Sequence, residues 1–200
     1  AINYLYMQVL AGTGAGPLAD LLFYLLFPTT LVSGPIQKYM DFRQEPASPR
    51  PLSAAAAGEA HYRIQKGYFY KVCLGYVLLA AVHAVLARAE LHAWDSLATT
   101  AALYLYFFFD FAGYCHVAIG LGLLLGIRVP ENFRQPFLAT SVTEFWRNWH
   151  ITLVDWFRDH LFIPLGGMRA TRVKASILAF VLMFVVGLWH GLTLSCVVWG

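Results

Sequence analysis

Charge is what this 200-residue sequence has least of: Asp, Glu, Lys and Arg together make 12% of it, against 59% hydrophobic residues. With a mean hydropathy of +0.58, that balance excludes a soluble domain of this size and implies a polytopic membrane protein. The net charge of +3 is dispersed and forms no basic patch, which excludes a nucleic-acid partner. Cysteine is also scarce: Cys73, Cys115 and Cys196 are odd in number and set among apolar residues, so they read as buried thiols and not as a disulfide framework or metal site. There is no GxSxG elbow, no Walker loop and no internal repeat. His150, His160 and His190 are ten and thirty residues apart on different elements, without the spacing of a metal-ligand pair. The chain opens on Ala1 without a signal-peptide pattern and closes at Trp199-Gly200 directly after an apolar run, so it is expected to be part of a longer chain.

What is present is a series of apolar runs. Leu18 to Ile36 is long enough for a first span, with Pro28 kinking it. Residues 44–51, QEPASPRP, mark a surface loop, and AAAAGEAHYRIQK after it reads as an interfacial helix. Gly67 to Ala87 is the second span, followed by a polar turn from Arg88 to Asp95. Ser96 to Gly126 is apolar for thirty-one residues, longer than an upright crossing needs, and Asp110 and Gly113 within it predict a break there. A loop with two prolines, RVPENFRQPFLAT, follows, and the last span is expected from Ala175 to Trp199. Lys and Arg number six from Lys38 to Lys71 and seven from Arg128 to Lys174, against Arg88 alone in the turn between, so both rich regions are expected on the cytoplasmic side.

The segment Ser141 to Gly167, SVTEFWRNWHITLVDWFRDHLFIPLGG, is too polar for a span. Read as one helix from Val142 to Leu161, it puts Val142, Phe145, Trp146, Trp149, Leu153, Trp156, Phe157 and Leu161 on one face. Glu144, Arg147, Asn148, Asp155, Arg158 and Asp159 take the other, and His150 falls on the boundary. Such a helix lies along a membrane surface.

Polar groups at membrane depth are costly, so each is a functional candidate with a packing role as its rival. His190 in GLWHGL has glycines at 187 and 191 beside it and Trp189 to wall a pocket; it could take a proton from a hydroxyl or hydrogen-bond a neighbouring helix. His150 could be functional or a structural hydrogen-bonding residue. Asp110 would cost about 2.5–3.5 kcal/mol at the bilayer centre and therefore needs a partner or a wet cavity, as a cap or as part of a site. Arg147, Arg158 and Asp159 are either the wet face of the helix or an anchor for phosphates or a carrier protein. His116 is left unassigned. A transporter or channel lined by His150, Asp110 and His190, or a non-catalytic scaffold, stays open at this level.

The motifs FDFAGY, PENFRQPF, FWRNWHITLVDWFRDHLFIPLGG and GLWHG, in that order, resemble the membrane-bound O-acyltransferase family, over about Gly34 to Gly200. The likeness is to its bacterial branch, which O-acetylates alginate or transfers D-alanine to teichoic acid. It implies an all-α, polytopic transmembrane protein with an interfacial amphipathic helix, residues 1–200 forming one membrane-embedded acyltransferase core that is part of a longer chain. It implies His190 as catalytic histidine and His150 as the second, positioning the donor; from their chemistry, Asp110, Arg147, Arg158 and Trp189 are expected to contribute to substrate binding. Lys38 and Tyr39 after SGPI match a family motif that reads as structural. No tightly bound cofactor or metal is implied. The expected co-substrate is an acyl thioester, acetyl-CoA or an acyl carrier, presented on the cytoplasmic side of the inner membrane. The acceptor is a hydroxyl of an extracytoplasmic glycan, reached directly or through a periplasmic partner acyltransferase, and the opposed histidines suggest a tunnel. IPLGG and PENF favour acetyl transfer; FDFAGY also fits D-alanyl transfer.

Overall fold

The computed structural model describes residues 18–29, 31, 34–44, 52–88 and 90–199, and every ordered element among them is helical. The chain divides into two compact units, residues 1–134 and 135–200. Three helices are long and apolar enough to cross a membrane, Ala54–Leu86, Ala93–Leu124 and Arg172–His190.

In the first unit, α1 (Leu18–Leu25) and α2 (Tyr39–Gln44) are short. Among the described residues, the span expected from Leu18 to Ile36 is therefore helical over its first eight, and Leu26 to Thr29 already turn ahead of and through Pro28. The surface loop expected around residues 44–51 lies outside the described residues from 45 onward. Helix α3 runs from Ala54 to Leu86, with a π-helical stretch at Phe69–Leu74. Ser53 caps it, its hydroxyl accepting from the Ala56 amide at 3.1 Å. The AAAAGEAHYRIQK segment is thus the first half of one long helix, because nothing between Ala54 and Gly67 breaks the ladder.

Helix α4 spans Ala93–Leu124. The break expected at Asp110 and Gly113 does not occur. Both residues find their reason in the partner helix: a Cβ on Gly113 would lie 2.7 Å from the Gly67 carbonyl oxygen, and one on Gly67 2.5 Å from that of Gly113. The glycines let the two backbones touch, and Gly120 repeats the contact two turns on, against Ala60 and Ile64. The order of these contacts makes α3 and α4 an antiparallel hairpin. Its closed end is held by Arg88 to Asp95 at 2.7 Å, while the His92 amide donates to the other Asp95 oxygen at 3.0 Å.

Beyond α4 the proline-bearing loop folds back. Ile127 and Val129 join Phe27, Phe42 and Ile119 in an apolar core, and the buried Gln37 amide donates to the Arg128 carbonyl at 3.0 Å. Of the cysteines, all expected to be buried, Cys115 is buried, whereas Cys73 is exposed and Cys196 intermediate.

The second unit corrects the single amphipathic helix. It forms α5 (Val142–Asn148) and α6 (Ile151–Phe157), the latter continuing as a π turn over Arg158–Phe162. Between them Trp149 is extended (φ −106°, ψ 125°) and His150 is left-handed (φ 43°, ψ 51°). The extended step lets the Trp149 ring stack on Phe145, centroids 5.4 Å apart and 18° from parallel, with Phe137 edge-on at 6.1 Å. The His150 carbonyl then starts α6, accepting from Leu153 and Val154 at 3.0 and 3.1 Å. Leu153 and Phe157 are buried as the face assignment required, but Val142, at the first helical position, is 75% exposed. Helix α7 (Arg172–His190) begins on a Thr171 cap and stops at His190, where Gly191 takes an extended conformation (φ 168°, ψ 150°) before α8 (Leu194–Trp199). The span expected to reach Trp199 therefore ends nine residues earlier, and His190 is its last residue.

Candidate functional site

Both candidate catalytic histidines lie in the second unit. His190 closes α7, and its Nδ1 lies 2.8 Å from the Val186 carbonyl. A carbonyl only accepts, so in the neutral ring Nδ1 carries the proton and Nε2 the lone pair. The ring is exposed, and Trp189, 60% exposed, meets it edge-on with centroids 4.7 Å apart. Gly187 beneath is buried and offers no side chain to crowd the imidazole.

His150 is half-buried in the break between α5 and α6. Burial first, and an electrostatic contribution from His190 second, push its pKa down to about 4, against a smaller opposing hydrogen bond to its own backbone. His150 is thus neutral near pH 7. The influence of His190 on it means that the two imidazoles, forty residues apart in sequence, share one electrostatic environment.

The two arginines of the segment differ. Arg147 is exposed in the last turn of α5 and makes no ion pair among the described residues. Arg158 is held by Asp155 at 2.6 Å and Asp159 at 2.9 Å, and those carboxylates, the Asp159 hydrogen bond foremost, raise its pKa above the usual guanidinium value. An anionic ligand at Arg158 would have to compete with both. Nearby, His160 stacks on Trp156, centroids 4.7 Å apart and 12° from parallel, with Nδ1 2.8 Å from the Trp156 carbonyl.

Asp110 belongs to the first unit. It has the partner that its position demanded: the Lys71 ammonium, from the π-helical stretch of α3, forms an ion pair with its carboxylate. The sequence reading counts Lys71 only among the basic residues expected on the cytoplasmic side, although a lone cation and a lone anion in successive spans were the available signal. A second cluster had no such signal. The Arg63 guanidinium binds Glu131 with two nitrogens, one at 3.1 Å, and Glu59 at 2.7 Å, while its Nη1 meets His116 Nδ1 at 3.1 Å. Tyr70 packs edge-on against His116, and Lys66 lies over the Tyr62 and Tyr70 rings. His116 thereby acquires a place in a network that ties the PENF loop to α3. Asn132, fully buried, adds a hydrogen bond to Cys115 Sγ at 3.4 Å.

These features define a helical protein with three helices long and apolar enough to cross a membrane and with two histidines in its second compact unit. The sequence profile of the membrane-bound O-acyltransferase family matches residues 15–200, and the chain belongs to that family. It is 39% identical over 182 residues to the probable alginate O-acetylase AlgI of Pseudomonas syringae pv. tomato, covering 89% of this chain and 34% of that protein. With the teichoic acid D-alanyltransferase of Bacillus subtilis it shares 31% identity over 196 residues, 92% of this chain and 49% of the relative. A 93-residue stretch is 41% identical to the peptidoglycan O-acetyltransferase of Helicobacter pylori, 46% of this chain and 18% of that one. The chain thus spans about a third of the length of the alginate O-acetylase it matches.

Proposed function

We propose that the protein is an O-acyltransferase of the inner membrane that moves an acyl group, acetyl in the first instance, from a cytoplasmic thioester to a hydroxyl of an extracytoplasmic polysaccharide. The observation that carries this is the His190 imidazole, its Nδ1 tied to Val186 so that Nε2 is the basic atom, within electrostatic reach of a neutral His150. Nε2 takes the proton of the acceptor hydroxyl as its oxygen attacks the thioester carbonyl. The new C–O bond forms, the C–S bond breaks, and the proton passes from Nε2 to the departing thiolate. His150, too weakly basic for that task, positions the donor by hydrogen bonding as a neutral ring. Trp189 walls the acceptor side, and Arg147 is the cation available to an anionic donor or carrier. Asp110 contributes to substrate binding through its own unit.

A second reading, D-alanyl transfer, is favoured by the match to teichoic acid D-alanyltransferases over 92% of the chain. The test is full-length protein in proteoliposomes, offered acetyl and D-alanyl thioesters in turn, with acyl transfer to a glycan hydroxyl measured for each. Turnover of acetyl donors alone supports the first reading, D-alanyl donors alone the second. Turnover of neither, in correctly inserted protein, contradicts both.

A further inference from the structure

The Lys71–Asp110 pair poses a problem of solvation. Arg88 and Asp95 mark the closed end of the α3–α4 hairpin, a polar turn at one membrane boundary. From Arg88 back to Lys71 is about 25 Å along α3, and from Asp95 on to Asp110 about 22 Å along α4, at 1.5 Å per residue. A hydrocarbon core of about 30 Å therefore still encloses both residues, several ångströms short of the far boundary. No other charged side chain lies between the pair and the closed end on either helix.

Within this chain the pair is not sealed. Its side chains remain 45% exposed at Lys71 and 37% at Asp110, although the glycine crossing of Gly67 and Gly113 lies directly beside them. Lysine could stretch to the boundary, but here its ammonium turns inward to the carboxylate. Aspartate is too short to reach out. The π-helical stretch Phe69–Leu74 is part of the arrangement, since its wider turn shifts the angle at which Lys71 leaves α3, and such turns are frequent at functional sites. Lipid tails offer no hydrogen bonds to the free carboxylate lone pairs or ammonium protons, whereas water does.

We infer that the exposed side of the Lys71–Asp110 pair lines a hydrated recess inside the membrane, open to water and to small hydrophilic or hydroxyl-bearing molecules and closed to lipid tails. This inference stands apart from the acyl-transfer reading, because accessibility and turnover are measured separately.

The test uses the full-length protein in membranes, with Cys73→Ser and Cys196→Ser removing the two thiols of this chain that are not buried and the labelling of that background subtracted. Asp110→Cys is introduced together with Lys71→Met, so that no charge is left unpaired, and its rate of reaction with a cationic, membrane-impermeant methanethiosulfonate is recorded. Val77→Cys, 63% exposed and about 16 Å from the closed end, is the lipid-facing control. The recess predicts reaction at position 110 at least tenfold faster than at position 77. Lys71→Cys with Asp110→Asn probes the same space from the other helix and should behave alike if the first variant fails to insert. Reaction at positions 110 and 71 as slow as at 77 would overturn the inference.

Discussion

The left-handed backbone at His150 makes a prediction whose sign separates two structures. In a continuous helix, glycine at position 150 would be about 0.8–1 kcal/mol less stable than alanine. In the break observed, with φ 43° and ψ 51°, a Cβ costs roughly 1–2 kcal/mol that glycine avoids. Both replacements remove the same imidazole, so loss of its packing and hydrogen bonding cancels in the comparison. His150→Gly should therefore be more stable than His150→Ala by about 1 kcal/mol, and His150→Val, with its branched Cβ, the least stable of the three. Denaturant unfolding of detergent-solubilised protein is the assay, followed by tryptophan fluorescence because Trp149 stacks on Phe145 beside the break. His150→Ala more stable than His150→Gly would restore the unbroken helix and refute the account of this segment.

Three further expectations are independent of that one. Arg63→Met should cost about 2 kcal/mol, between an exposed and a buried ion pair, because it strands half-buried Glu131; adding Glu131→Gln should recover part of the loss, and additive losses would deny the coupling. Gly113→Leu should weaken the α3–α4 hairpin by at least the 1–3 kcal/mol of overpacking, since its Cβ would meet backbone atoms at 2.7 and 2.9 Å; proteolysis of the turn near Arg88 reports it, and unchanged resistance would contradict the crossing. His150 is held below its ordinary pKa of 6.5, at about 4, so the unfolded chain binds the proton first as pH falls. The stability this contributes is complete above about pH 6.5 and is lost toward pH 4, at no more than about 1.4 kcal/mol per unit; His150→Gln should flatten that slope, and an unchanged slope would assign it elsewhere.

What was legible in the sequence follows from which forces act locally. The all-helical, membrane-spanning architecture is written in composition and in apolar runs, and α3, α4 and α7 lie where those runs are. Their ends were less legible. Gly191 terminates α7 at His190 because the chain turns there, although the apolar run continues to Trp199. Gly113 and Asp110 have the local character of a helix break, but a close glycine crossing and the Lys71 ammonium reverse that reading. The His150 break is also tertiary in origin: the Phe145, Trp149 and Phe137 rings cluster in space, and no periodicity announces it. At the site, His150 and His190 stand out as histidines among apolar residues, and the structure brings them into one unit. The Arg63–Glu131 tie, between residues 68 apart, had no sequence signal because it depends on how the loop folds back.

The central claim is that Nε2 of His190 is the base, and its most direct measurement is acyl transfer by His190→Ala in full-length, membrane-inserted protein, alongside His150→Ala. The ring is exposed at the end of α7 with a buried glycine beneath it, so its removal should leave folding and insertion intact. Transfer should fall by about 10²–10⁴ in kcat for His190→Ala, while His150→Ala should raise the donor KM more than it lowers kcat. Near wild-type turnover by inserted His190→Ala would contradict the account and remove this histidine from the chemistry.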